Sequence, residues 1–299
     1  MTIGYIGLGN MGGALALRLQ ISHPLRVYDL NPVSVSALVD AGATAAGSLE
    51  SMATTCDTIL MCLPKSEHVR SVLFGPQGLV PHLRPGTFLI DQTTGNPIDT
   101  RAMAADLAVR GVELIDAPVS GGALGAKAGT IAIMVGASLE QFAKAAPILN
   151  AISPNVFHAG GVGAGQVIKL VNNVLSGAQR LLTFEAMALA AKNGIEPEKA
   201  CEILMAGGAR NVFMEKFLAP QILKGKLDVG FTLGLMHKDV HLACQLGSDS
   251  GVPMPFGNTA KEFYQMCISE HGSDAQVHTS ALVFDRLAGT HVVPANPKI

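Results

Sequence analysis

The 299-residue sequence is poor in charge, in long apolar runs and in any ordered cysteine pattern, and each lack removes a class of function. Only 15% of its residues are Asp, Glu, Lys or Arg and the formal net charge is −2, so there is no basic field to recruit nucleic acid or an acidic membrane surface. Although 48% of the chain is hydrophobic, no uninterrupted apolar run approaches the ~20 residues that a membrane helix needs. The five cysteines, Cys56, Cys62, Cys201, Cys244 and Cys267, are odd in number and widely spaced. They sit in apolar stretches such as "ILMCLP", which argues against a disulfide framework and for buried thiols in a reducing compartment. A strand pattern begins within two residues of the first, with no charged and apolar leader, so a cytoplasmic location is expected. No internal repeat or low-complexity tail is visible, and the expected partner is a small molecule, not nucleic acid or membrane.

What is present is a change of texture halfway along. Up to about residue 160, short apolar or β-branched runs ("TIGYIG", "LRVYDL", "TILMCLP", "GTFLID", "VELID", "TIAIMVG") alternate with alanine-rich amphipathic stretches. That alternation predicts βαβ units and a mostly parallel sheet with helices on both faces. After the glycine cluster "HAGGVGAGQ", a proline-free helical pattern runs from Gln166 to about Lys192, and everything beyond it reads as helix punctuated by Gly and Pro. The expected fold is α/β, with a Rossmann-type doubly wound N-terminal domain over 1–161. A long connecting helix and an all-α C-terminal domain fill 162–299.

The turn "GLGNMG" at 7–12 follows the first predicted strand and opens a helix, as G-x-G-x-x-G does in dinucleotide-binding folds. Gly7 permits the tight turn, Gly9 lets backbone approach a pyrophosphate, and Gly12 lets the helix pack near the strand. The second strand ends in Asp29, twenty residues past Gly9, where a carboxylate can accept both ribose hydroxyls. A 2′-phosphate would be repelled there, and Leu30 and Asn31 offer no arginine to receive one. Arg26 lies earlier on the strand, so NAD is expected over NADP.

Two further motifs carry chemistry. In "DAPVSGGALGAKAGT", a serine and two adjacent glycines at a strand end can present backbone N–H groups beside a hydroxyl, suited to a carboxylate. In "GAGQVIKLVNN", Lys169 and Asn173 share a helix face in an otherwise apolar sequence. A desolvated lysine there can exchange a proton with a carbonyl or hydroxyl oxygen. Taken singly, each has a plainer reading, an ordinary glycine loop and a snorkelling surface lysine.

Together, "GYIGLGNMG", "DAPVSGGALGAKAGTIAIMVG", "GAGQVIKLVNN" and the "HKD" of "FTLGLMHKDV" resemble the β-hydroxyacid dehydrogenase family, in family order and over nearly the whole chain. That family includes 3-hydroxyisobutyrate dehydrogenases and tartronate semialdehyde (2-hydroxy-3-oxopropionate) reductases. The resemblance implies a catalytic Lys169. It also implies a substrate site of Ser120, Gly121, Gly122 and Asn173, with Phe231 and Asp239 nearby. Cofactor contacts would extend over Gly7, Leu8, Gly9, Asn10, Met11, Gly12 and Asp29, over Leu63 and Pro64 in "CLP", and to Thr94 at the end of "DQTT". Lys238 would close over the nicotinamide end, and a homodimer or homotetramer would form through the helical domain. The chain departs from the family at Arg18, often asparagine, in "ISHPL", which lacks the usual glycine, and in "GNP" after "DQTT". By the resemblance, these departures unsettle the detail around the adenosine and the outer pocket and spare the chemistry.

Two rival readings compete with this one. "HKDVH" places His237 and His241 at i and i+4, a spacing that can bind a divalent ion in a metal-dependent alcohol dehydrogenase, yet no general-base glutamate or further His or Cys cluster accompanies them. A dinucleotide-binding regulator without turnover would need a lost lysine or an added recognition module, and Lys169 is kept.

Overall fold

The computed structural model describes residues 2–298. Its residue contacts divide the chain into two compact units, Met1–Lys169 and Leu170–Ile299.

The first unit alternates strand and helix: β1 (Ile3–Ile6), α1 (Asn10–Gln20), β2 (Leu25–Tyr28), α2 (Pro32–Asp40), β3 (Thr44–Ala45), α3 (Leu49–Thr55), β4 (Thr58–Met61), α4 (Ser66–Phe74), β5 (Phe88–Asp91), α5 (Pro97–Ala108), β6 (Glu113–Asp116), β7 (Val119–Ser120), α6 (Gly122–Ala128), β8 (Ala132–Gly136), α7 (Leu139–Ile152) and β9 (Val156–Gly160). They form one sheet in the order β3-β2-β1-β4-β5-β6-β8-β7, with β9 paired to β8. The pairs from β3 to β6 are parallel, whereas β8 runs antiparallel to both β6 and β7. Strand order reverses between β1 and β4, so the carboxyl end of β1 is a topological switch point, where open α/β sheets bind ligands.

Period-two alternation sorts the strand side chains onto two faces. Ile3, Tyr5, Val27, Leu60, Phe88 and Ile115 enter one buried cluster, while Ile6, Ile59, Met61, Leu89 and Leu114 enter another. Burying one such side chain is worth about 1.5–3 kcal/mol, so both helix layers are held firmly to the sheet.

The long helix α8 (Ala164–Lys192) begins two residues earlier than its apolar pattern suggests, because Gly163 turns the chain with φ +88° directly ahead of it. The second unit then carries α9 (Pro197–Ala206), α10 (Leu233–Ser250), α11 (Pro255–His271) and α12 (Ser280–Ala288), packed around two clusters centred on Phe184, Phe213 and Leu218 and on Leu233, Val240 and Tyr264. The "NVFMEKFLAPQILKG" stretch is not a regular α-helix: Met214–Leu218 is a π-helical turn and Ile222–Lys224 a 3-10 turn. The Rossmann-type first half, long helix and helical second half match expectation. All five cysteines are free, and four of them are buried. No helix among the described residues is long and apolar enough to cross a membrane.

Candidate active site

Gly7 leaves β1 with φ +88°, a conformation that only glycine adopts without strain, and a side chain there would run into the Cys62 carbonyl at the end of β4. A methyl on Gly12 would collide with the Gly7 carbonyl, so the first turn of α1 lies against the strand end as the motif requires. Gly9 is different: nothing lies within 4 Å of where its Cβ would be. Gly9 also caps α1 with no side-chain acceptor on the helix N-terminus. An open cradle over bare N–H groups at a helix N-terminus fits the pyrophosphate of a dinucleotide.

Asp29, half-buried just after β2, has a task that the sequence did not reveal. Its Oδ2 accepts the Leu8 N–H at 2.6 Å and its Oδ1 accepts the Asn31 N–H at 2.7 Å. The carboxylate thus fixes the glycine turn itself, and each oxygen keeps a further lone pair for a ribose hydroxyl. The nearby arginines lie against other groups, although the Nε atoms of both are without a hydrogen bond among the described residues. Arg26 reaches the Ser51 hydroxyl at 3.4 Å, and the Arg18 guanidinium packs on the backbone of Gly129.

The carboxyl ends of β4 and β5 are laced together. The Thr93 hydroxyl accepts the Leu63 N–H at 2.9 Å, and Asp91 accepts the Thr93 N–H at 2.9 Å. Leu63 and Thr94 are half-buried there, with Pro64 exposed. Ser120 is not at the end of the predicted "VELID" strand. It lies on a separate short strand, β7, which pairs antiparallel with β8 through Ser120 and Ala132. Gly121 and Gly122 follow with φ +139° and +69°, both exposed, so the turn can present consecutive backbone amides without side chains in the way.

Lys169 lies in the second turn of α8 and is only 8% exposed. Two buried residues, absent from the expected site, anchor the helix start in the same unit. Asp116 Oδ1 and Oδ2 accept the N–H groups of Gly163 and Gln166 at 2.6 and 2.8 Å. The Gln166 side chain accepts the Gly95 N–H at 2.9 Å and donates to the Thr93 carbonyl at 2.7 Å. Burial raises the Asp116 carboxyl to about 6 even though these N–H groups favour its ionised form. Both residues stand inside quoted motifs, "DAPVSGG" and "GAGQ", yet their partners are set by tertiary structure and have no local signal.

In the second unit the structure joins three residues that the sequence named separately. Asn173, 6% exposed on the turn of α8 after Lys169, donates from Nδ2 to Asp239 Oδ2 at 2.6 Å. Lys238 Nζ lies 3.0 Å from Asp239 Oδ1, and Asn172 donates to the Asn173 side-chain oxygen at 2.8 Å. Phe231, half-buried before α10, accepts the Val277 N–H on its carbonyl at 2.9 Å. His237 and His241 stack with ring centroids 6.2 Å apart, and burial together with His241 lowers the His237 pKa. Among the described residues, no three His, Cys, Asp or Glu side chains gather as a metal-holding group.

A glycine turn at a Rossmann switch point, a serine and paired glycines on the same sheet, and a buried lysine at the head of a long helix define a dinucleotide-dependent oxidoreductase. Residues 2–161 match a family model described as the NAD binding domain of 6-phosphogluconate dehydrogenase, and residues 163–283 match the NAD-binding domain of NADP-dependent 3-hydroxyisobutyrate dehydrogenase. The chain is 38% identical to 2-(hydroxymethyl)glutarate dehydrogenase of Eubacterium barkeri over 265 residues, 88% of each chain. It is 36% identical to 3-hydroxyisobutyrate dehydrogenase of Pseudomonas aeruginosa, covering 88% of this chain and 91% of that one. The solved structure of Mycobacterium tuberculosis 3-hydroxyisobutyrate dehydrogenase with L-serine superposes with a TM-score of 0.83 at 29% identity, covering 94% of this chain and 98% of that one. The protein belongs to the β-hydroxyacid dehydrogenase family and is an NAD(P)-dependent oxidoreductase acting on CH–OH groups.

Proposed function

We propose that this enzyme interconverts a small β-hydroxyacid and its semialdehyde or keto form with NAD, using Lys169 as general acid and base. The carrying observation is Lys169 itself: an ionisable group 8% exposed, at the head of α8, one turn ahead of an asparagine that is itself hydrogen-bonded to Asp239. Ser120 and the Gly121 and Gly122 amides would hold the substrate carboxylate, a role supported by the positive φ of both glycines. A bound nicotinamide supplies the hydride acceptor or donor. In oxidation, Lys169 Nζ takes the hydroxyl proton as the carbonyl forms. In reduction, its ammonium polarises the carbonyl and returns that proton to the new alkoxide. Asn173 would hold the substrate oxygen and the lysine in register. Leu63, Pro64, Thr94 and Lys238 would contact the cofactor.

The preference for NAD rests on Asp29, whose carboxylate repels a 2′-phosphate, and on Arg18 and Arg26 lying against other groups. Residues 1–161 would bind the dinucleotide, while 162–299 would serve substrate and dimerisation. A homodimer or homotetramer is supported by α8, which exposes Ile168, Leu175, Leu182 and Leu189 at seven-residue intervals, an apolar stripe of the kind a second helix covers. The substrate class includes 3-hydroxyisobutyrate, glycerate and tartronate semialdehyde, and 2-(hydroxymethyl)glutarate. The test is a panel of these acids with NAD and NADP, scored by kcat/KM. Turnover of none of them, or turnover only of alcohols lacking a carboxylate, would contradict the reading.

A further inference from the structure

Gln166 and Asp116 tie together three places in the first unit that the proposed chemistry needs in fixed relation, and no part of that chemistry uses either side chain. Both are 0% exposed. Asp116 ends β6 four residues before Ser120, and its two oxygens receive N–H groups from the first turn of α8. The fit is tight on all sides, since a Cβ on Gly165 would come within 2.8 Å of Asp116 Oδ2 and one on Gly136 within 2.7 Å. Gln166 spends both ends of its amide on the Thr93–Gly95 segment that carries Thr94, and it precedes Lys169 by three residues on the same helix. A displacement of about 1 Å between reacting groups can cost two orders of magnitude in rate, so a helix head bearing an acid–base group needs a fixed register.

We infer that Gln166, with Asp116 capping the same helix turn, is a positioning residue that sets the register of Lys169 against the Thr93–Gly95 loop and the Ser120 strand. The inference rests on Lys169 being the acid–base group. A carboxamide suits the task because at any pH it accepts the Gly95 N–H and donates to the Thr93 carbonyl at once. Methionine matches its length and offers neither bond. Glutamate keeps the acceptor, and donates to the carbonyl only while protonated.

The experiment measures kcat, KM and the NADH dissociation constant for Gln166→Met, Lys169→Ala, the double variant and Gln166→Glu, with circular dichroism confirming the folded fraction at each pH. Gln166→Met should lower kcat at least tenfold while the NADH constant stays within about threefold. In the Lys169→Ala background the same change should alter the residual kcat less than twofold, because a residue that acts through the lysine has nothing left to position. The ratio of Gln166→Glu kcat to wild-type kcat should be near one at low pH and fall on alkalinisation, with the variant still folded. Equal losses from Gln166→Met in both backgrounds, a Gln166→Glu profile parallel to wild type, or failure of both Gln166 variants to fold would overturn the positioning role. If Lys169→Ala keeps more than a tenth of wild-type kcat, the proposed function falls. If it loses activity while Gln166→Met stays fully active, only this inference falls.

Discussion

Two clusters of buried polar groups, one in each unit, are held in different ways. In the first, Asp116, Gln166, Asp91 and Thr93 meet backbone N–H and carbonyl groups of neighbouring segments, and the Tyr5 hydroxyl donates to Gln92 at 2.6 Å. In the second, Arg180 lies 5.1 Å over the Phe213 ring, and the fully buried His278 packs edge-on against the rings of Phe213 and Phe217 with neither ring nitrogen hydrogen-bonded among the described residues. Hydrogen bonds to backbone are directional, so the first unit fixes where loops and helix ends lie. Aromatic packing tolerates small shifts and mainly excludes water. Directional bonds also occur in the second unit, from Asn173 to Asp239 at the proposed site, and away from it from the Val292 and Val293 N–H groups and the Thr290 hydroxyl to Asp285.

Titration sharpens this contrast most. Burial, reinforced by the Arg180 charge, holds His278 down at about 3. Between the ordinary histidine value and about 3, the unfolded chain binds a proton that the folded one refuses, so stability is present above pH 6.5 and drains as pH falls. At about 1.4 kcal/mol per pH unit, the full window is worth on the order of 4–5 kcal/mol. Asp116, raised to about 6, acts the other way: between pH 3.8 and about 6 the folded state holds a proton that the unfolded state has lost, and stability falls as pH rises. Melting temperatures followed from pH 7.5 to 4 should therefore drop less in His278→Leu than in wild type and more in Asp116→Asn. Parallel curves for all three proteins would remove the contrast.

A smaller effect probes the packing at the glycine turn. Gly12→Ala must push a methyl against the Gly7 carbonyl, and overpacking of this kind costs about 1–3 kcal/mol. Urea unfolding should show that loss with a weakened NADH dissociation constant, whereas Gly9→Ala, facing open space, should leave stability nearly unchanged and weaken the cofactor alone. Equal stability losses at Gly9 and Gly12 would contradict the geometry.

The smallest is nucleotide choice. With Asp29 repelling a 2′-phosphate, kcat/KM should favour NAD over NADP by at least about tenfold, roughly 1.4 kcal/mol. Equal or reversed preference would mean that Arg18 leaves Gly129, or Arg26 leaves Ser51, to meet the phosphate.

Much of the fold was legible because its signals are local. The β1 turn needs glycine at Gly7 and Gly12 for steric reasons, and α8 shows an unbroken apolar period. The strands that escaped notice lack such signals. Thr44 and Ala45 of β3 are both exposed, and β9, "VFHAG", lies mostly exposed at the sheet edge without alternation. The candidate site can be drawn from the sequence where a residue type declares its chemistry, as a proposal for Lys169 and Asp29. It was hidden where a residue works through distant backbone: Asp116 bonds 47 and 50 residues away, Gln166 bonds 71 and 73 away, and Asp29 holds Leu8 from 21 away.

The central claim, that Lys169 moves the proton, is tested most directly by kcat, KM and the NADH dissociation constant of Lys169→Ala and Lys169→Arg beside wild type. Positioned acid–base catalysis contributes about 10² to 10⁴, so Lys169→Ala should lose that factor in kcat with NADH affinity barely changed. Lys169→Arg should fail almost as badly, because a guanidinium stays protonated at working pH and cannot accept the proton. An alanine variant that keeps more than about a tenth of wild-type kcat falls outside that range and contradicts the assignment.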